Sequence, residues 1–262
     1  MKITALVENQ PRKGFCGAHG LSLYIETAQH KILFDVGPDE TVFENAEKKG
    51  ISVEEADTVV ISHGHADHGG ALGEFLKKNQ RAAVYIQRTA FEDHYSKSLN
   101  RTRNIGLDKN LMCHRQVVIL DGDYRIDGEL QLFTVQDRSK FYSAANDVLY
   151  KADGRDDFAH EQNLMILGEK PVLIMGCGHC GVVNILDRAR EYSPEVCIGG
   201  FHLCVPATGK MIPEKVLDGI AENLSKRNLS YYTCHCTGEQ AFAYLSERMN
   251  ISYFHCGDTI EI

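Results

Sequence analysis

Three histidines and an aspartate fall within six consecutive positions, His63 to His68, in the stretch VVISHGHADHGGAL. Imidazole nitrogens and carboxylate oxygens are the donors that zinc, iron and manganese take from proteins. In an extended chain, side chains two apart share a face, so His63 and His65 can converge on one point. Asp67 and His68 follow where Gly69-Gly70 lets the chain turn into a helix, and they can reach a second, adjacent point. Gly64 and Ala66 leave room around both.

One loop seldom completes a catalytic metal site, and other histidines stand in the same context. PVLIMGCGHCG puts His179 just past an apolar run, VCIGGFHL does so for His202, and SYYTCHCTG for His235. Four apolar runs each ending in histidine form a pattern that chance does not readily produce. His30, His94, His114, His160 and His255 read as surface or core residues. The spacings Cys177-x2-Cys180 and Cys234-x-Cys236 allow a four-thiolate structural zinc site. Each pair, however, flanks a histidine already in the partner set, so buried thiols are the preferred reading.

The elements that must carry these residues are short apolar strands alternating with amphipathic helices. Strands are expected at 2–8, 21–26, 31–36, 57–62, 83–87, 116–120 and 131–135, then as a hairpin around Glu169-Lys170, and at VCIGGF, SYYT and ISYFH. Helices are expected over 39–49, 69–79, 182–191, 213–226 and 239–248. Residues 88–115, rich in Arg, His, Asn and Lys, read as a partly helical insertion or lid, and 136–160 are similarly polar. No low-complexity linker interrupts the chain, so a single domain over 1–262 is expected. Strands and helices in both halves imply two sheets packed face to face, with helices outside.

Composition narrows the function. The chain has 262 residues, 43% of them hydrophobic, enough for a proper core. A net charge of −8 and a pI near 5.8 argue against nucleic-acid binding through a basic surface. No run approaches the roughly 20 apolar residues that span a bilayer, and Glu8 comes too early for a secretory apolar segment. The expected setting is the cytoplasm, the expected partner a small-molecule substrate, and a homo-oligomer is compatible with the sequence.

HGHADH matches the HxHxDH signature of the metallo-β-lactamase superfamily, and FDVG with Asp35 resembles the strand that precedes it there. Glu8-Asn9, AHGLS, KILFDVG, GCGHCGVVNIL, GGFHL and HCTG further resemble the branch named for 7,8-dihydropterin-6-yl-methyl-4-(β-D-ribofuranosyl)aminobenzene-5′-phosphate synthase-like metallohydrolases. The resemblance runs along nearly the whole chain and is weakest over 88–160. It implies an α/β (α+β) fold, an αββα sandwich of two mixed sheets flanked by helices, and two divalent metal ions, zinc foremost with manganese or iron as alternatives. His63, His65 and His179 would hold one, and Asp67, His68 and His235 the other. Asp35 would orient a ligand histidine through a hydrogen bond. An activated water would attack a carbonyl or phosphorus centre, with Asp67 at the chemistry. Glu8, Asn9, His19 and His202 would line the substrate side. The chain departs from the family in GGFHL, where many members bridge the metals with aspartate; this leaves His202 as a ligand, a substrate-polarising group or neither. It also has Gly178 where the branch carries serine.

The resulting expectation is a binuclear metal-dependent hydrolase acting on a small polar metabolite, phosphorylated or not, with the branch pointing to a pterin-related synthase-like activity. Two alternatives stand beside it: a di-iron redox enzyme, and a non-catalytic sensor that keeps the metal cage without turnover.

Overall fold

The computed structural model describes residues 1–98 and 101–262; residues 99 and 100, inside the expected insertion, lie outside the described residues. Contacts divide the chain into two compact units. The first takes residues 1–94, 104–122 and 254–262, the second residues 95–103 and 123–253.

The first unit is built on a seven-stranded sheet in the order Thr259–Glu261, Lys2–Val7, Ser22–Glu26, Lys31–Phe34, Thr58–Val60, Ala83–Gln87 and Val117–Leu120. The hairpin expected between 21–26 and 31–36 is antiparallel, and from Lys31–Phe34 onward the strands run parallel. The near-continuous apolar run at 57–62 fits this, because strands of a parallel sheet are buried rather than half-solvated. Thr58, Val59 and Val60 are all buried. Helices Thr41–Lys49 and Leu72–Lys78 supply Val42, Ala46, Leu72 and Phe75 to a core that includes Leu33, Val59, Ile61, Val84 and Ile86.

The second unit repeats the plan. Its sheet runs Ser252–Tyr253, Ser230–Thr233, Val196–Gly199, Val172–Ile174, Asn163–Ile166, Leu130–Phe133 and Tyr124–Arg125. The hairpin at Glu169-Lys170 is antiparallel, and Val172–Ile174, Val196–Gly199, Ser230–Thr233 and Ser252–Tyr253 are parallel neighbours. Helices Val182–Arg188, Glu214–Ser225 and Glu239–Ser246 sit where sequence periodicity expects them.

Two expectations need correction. Residues 88–115 hold the short helical segments Arg88–Phe91 and Lys109–Cys113, as a partly helical stretch implies, but also strands His94–Ser98 and Arg101–Asn104, which join Leu149–Lys151 and Gly154–Arg155 in a four-stranded sheet. Arg101–Asn104 is exposed throughout, so it lacks the apolar alternation by which a half-buried strand is recognised. The helix expected over 69–79 begins at Ala66 and is split into Ala66–Gly69 and Leu72–Lys78, which places Asp67 and His68 on a helical turn.

Candidate functional site

In the first unit, parallel pairing with Phe34 opposite Val60 brings two strand ends side by side. The carboxyl ends of parallel strands are where α/β sheets gather their chemistry. Asp35, one residue past its strand, donates its own N–H to the Val60 carbonyl (2.8 Å) and receives the N–H of Ser62 on Oδ1 (2.7 Å). Ser62 Oγ and His68 Nδ1 both reach Oδ2 at 2.7 Å. Asp35 and His68 are fully buried.

Proton counting then fixes the tautomers. Asp35 only accepts, so the Ser62 hydroxyl gives it the one proton it has, and His68 presents Nδ1–H. The Ser62 oxygen is left to accept from His63 Nδ1, 2.8 Å away. In both histidines Nδ1 therefore carries the proton, and Nε2 keeps the lone pair that a metal needs. The chain bends at His63-Gly64 rather than running straight, yet the expected convergence is met: the His63 ring lies 4.5 Å from that of His65 and 4.2 Å from that of His68. Gly64 is required here, since a Cβ would stand 2.5 Å from the Ala90 carbonyl oxygen and 2.7 Å from His94 Nε2.

The residues expected at the substrate side fall in two environments. Asn9 Nδ2 lies 3.4 Å from His19 Nδ1, and His19 Nε2 lies 3.5 Å from Asp67 Oδ2, so Asn9, half-exposed His19 and partly exposed Asp67 form a continuous polar chain. Glu8 is fully buried, and its carboxylate accepts the Gln10 N–H at 2.6 Å.

In the second unit the three remaining histidines follow the strands that end at Ile174, Gly199 and Thr233, as the sequence context implies. His179 is held from three sides. Its ring stacks on Phe158 at 4.5 Å with planes 5° apart, and its Nδ1 lies 3.0 Å from Asn146 Oδ1. The N–H groups of His179 and Cys180 bind the two oxygens of buried Glu161 at 2.6 and 2.8 Å. With Nδ1–H donated to Asn146, Nε2 of His179 again keeps its lone pair. The ring of His202 lies 4.2 Å from that of His179. The loops of His202 and His235 are tied together, Phe201 N–H donating to Thr237 Oγ1 (2.9 Å) and Leu203 N–H to the Cys236 carbonyl (3.1 Å).

Backbone conformation marks the same positions. Asp35, His202 and His235 all have positive φ, at 57°, 48° and 49°. Non-glycine residues in that region cost about 1 kcal/mol or more each and persist where the surroundings over-determine them.

Cysteines join this set. Donor atoms of Cys177, His179 and His202 lie within 4.8 Å of one another, as do those of Cys177, His235 and Cys236. Burial raises the Cys236 thiol, but Cys177, His202 and His235 outweigh it and hold the thiol well below the ordinary cysteine range. Cys197, among apolar neighbours, is instead pushed up to about 12 by burial. Cys180 is also driven up, first by burial and then by the Glu161 charge.

Asn146, Glu161 and Ser62 are the partners of these histidines that the sequence did not single out, whereas Cys177 and Cys236 stood out by spacing and read as buried thiols. Only Ser62, adjacent to the HGHADH cluster, had a local signal; Asn146 lies in the polar stretch 136–160 and Glu161 just past it, where nothing periodic singles them out. Burial pushes the Glu161 carboxyl up, while the two N–H groups pull it the other way. Glu161→Gln should therefore destabilise the protein by about 1–3 kcal/mol by leaving a buried donor facing a donor. An unchanged urea midpoint would show that the His179 turn holds itself.

A model of the metallo-beta-lactamase superfamily matches residues 17–190, and the chain belongs to that superfamily. An uncharacterized protein of Methanocaldococcus jannaschii is 30% identical over 271 aligned residues, covering 99% of this chain and 100% of the relative. The 7,8-dihydropterin-6-methyl-4-(beta-D-ribofuranosyl)-aminobenzene-5′-phosphate synthase of the same archaeon is 27% identical, across 100% of this chain and 96% of its own. Among solved structures, that of Tm1679, a metal-dependent hydrolase of the beta-lactamase superfamily, matches with a TM-score of 0.83 at 26% identity, covering 100% of this chain and 99% of that one. The fold class expected from the sequence is thus the fold of this chain, and the resemblance read from HGHADH and its companions holds. Among the described residues no helix is long and apolar enough to cross a membrane.

Proposed function

We propose that this protein is a binuclear metal-dependent hydrolase acting on a small, phosphorylated polar metabolite. The observation that carries this reading is the shared tethering of His63, His68 and His179, each with Nδ1 bound inside the protein so that Nε2 bears the lone pair. Histidines kept only for packing do not need one common tautomer. The donor set fits divalent metal: neutral imidazoles, a carboxylate at Asp67 and thiols nearby suit zinc ahead of manganese, with iron as the other candidate. In this proposal His63, His65 and His179 hold one ion, and Asp67, His68 and His235 hold the second. When bound, such ions supply Lewis acidity and lower the pKa of water toward neutrality.

The chain's own groups do the rest. Asp35 orients His68 directly and His63 through Ser62. Asp67, in contact with His19, lies where a proton can pass between the centre and the substrate side. His202 polarises the substrate, while Asn9 and His19 bind its polar groups. A phosphorylated substrate is supported by the name of the synthase relative, whose product carries a 5′-phosphate. A cytoplasmic setting belongs to the same proposal and suits nine cysteines present as thiols; so does the absence of nucleic-acid and membrane partners, given the net charge of −8.

The test is metal content by mass spectrometry on the purified protein, followed by a screen of phosphoesters and phosphoribosyl compounds. About two zinc ions per chain and turnover of a phosphorylated compound are expected for a two-metal hydrolase. Two irons with oxygen-dependent turnover would replace the reading with the redox alternative, and ligand released chemically unchanged would replace it with the sensor.

A further inference from the structure

We propose that the metal centre is partly sulfur-ligated: Cys177 is a donor shared by two ligand triads of the second unit, and Cys236 is a further thiolate ligand beside His235. This rests on the metal-binding reading above and goes beyond it, because the ligand set inferred from family resemblance contains no thiol.

Geometry carries the inference. Cys177 belongs to both compact donor groups, the one with His179 and His202 and the one with His235 and Cys236. All five residues are buried, so each donor atom has to be satisfied inside the protein. Cys236 Sγ points back to the Cys177 carbonyl at 3.3 Å, which keeps the two residues together. Gly200 makes the space: a Cβ there would stand 2.4 Å from Cys236 Sγ. An independent sign is His202, which is 3% exposed and whose ring nitrogens find no oxygen or nitrogen partner, only the Cys236 thiol beside them. A buried imidazole left so, its ring 4.2 Å from that of His179, is a donor awaiting an acceptor in this cluster.

The chemistry is consistent with the sequence. GGFHL offers no aspartate to share between two ions, and Cys177 is the one side chain common to both triads. Each thiol that binds gives its proton to solvent, so that a neutral sulfhydryl becomes a thiolate bonded to the metal. Cys197 and Cys256, buried elsewhere, appear in neither triad, and the Cys256 thiol instead donates to the Leu6 carbonyl.

The experiment loads the metal-free protein with Co2+ under anaerobic, reducing conditions, and reads cobalt stoichiometry and near-ultraviolet absorption separately. Sulfur-to-cobalt charge transfer is intense, whereas nitrogen and oxygen ligands give none. The wild type should bind cobalt and show the band; Cys177→Ser should lose most of it, Cys236→Ser part of it, and Cys197→Ser none. Cobalt bound without the band would overturn sulfur ligation and leave the hydrolase reading standing. No cobalt bound at all would end both. A band that survives in the Cys177→Ser/Cys236→Ser double variant would overturn the assignment of these two residues. Should Cys177→Ser fail to fold, the wild-type band and its weakening in Cys236→Ser still decide the matter.

Discussion

Asp35→Ala should weaken metal binding by about 10–100-fold, the usual effect of removing the partner that orients a ligand histidine. It should also cost about 3 kcal/mol or more in stability, because three buried donors lose their acceptor at once: the Ser62 N–H, the Ser62 hydroxyl and His68 Nδ1–H. The carboxylate also governs His63, since only a Ser62 hydroxyl that donates to Asp35 is left to accept from His63 Nδ1. Asp35→Asn separates the two contributions. Its amide fills the same space, but its NH2 group must face a donor, so either Ser62 or His68 reverses and a ligand nitrogen becomes protonated. The asparagine variant should therefore keep more of the stability than the alanine variant while losing comparable metal affinity. Competition titration with a chelating dye and urea unfolding of the metal-free proteins measure the two effects. Wild-type affinity in Asp35→Asn would mean that the tautomers are set by something else.

The sequence exposed the parts of this arrangement that depend on local pattern. Val59 to Ile61 read as a buried strand because both neighbours in a parallel sheet demand it, and the strand ends at His63, His179, His202 and His235 follow directly from where such runs stop. The helices over 182–188 and 214–225 were legible from spacing for the same reason. The tethers of the site were not legible. Asn146 and Glu161 reach His179 across 33 and 18 residues, and nothing near them in the chain reports that separation. Strands His94–Ser98 and Arg101–Asn104 were missed because the sequence there carries no apolar alternation, and the further neighbour of His94–Ser98, Leu149–Lys151, lies far along the chain. Cys236 lies differently from what an extended chain implies. A cysteine next to a ligand histidine should point to the opposite face of an extended strand, but His235 has positive φ and starts a tight turn, so Cys236 swings back toward Cys177.

His63→Ala should abolish function in a way that Asp35→Ala does not. Removing Asp35 disorders a ligand but leaves it present, so excess metal should restore part of the lost occupancy and rate. Removing His63 deletes the nitrogen itself, and no concentration of metal supplies a replacement of the same geometry. If activity depends on water whose pKa a bound ion lowers toward neutrality, loss of that ion should lower the rate by roughly 1000-fold or more near neutral pH. The fold should survive the change. His63 lies beyond Thr58–Val60, and the apolar residues that secure that strand, Val59 and Ile61 against Phe75 and Val84, are untouched. Circular dichroism and the urea midpoint of the metal-free variant should thus stay near those of the wild type, while metal content falls. A variant that keeps both its metal and its activity would remove His63 from the centre. A variant that loses activity but recovers it with added metal would make His63 a positioning residue like Asp35, and the ion it was thought to hold would have to rest on other ligands.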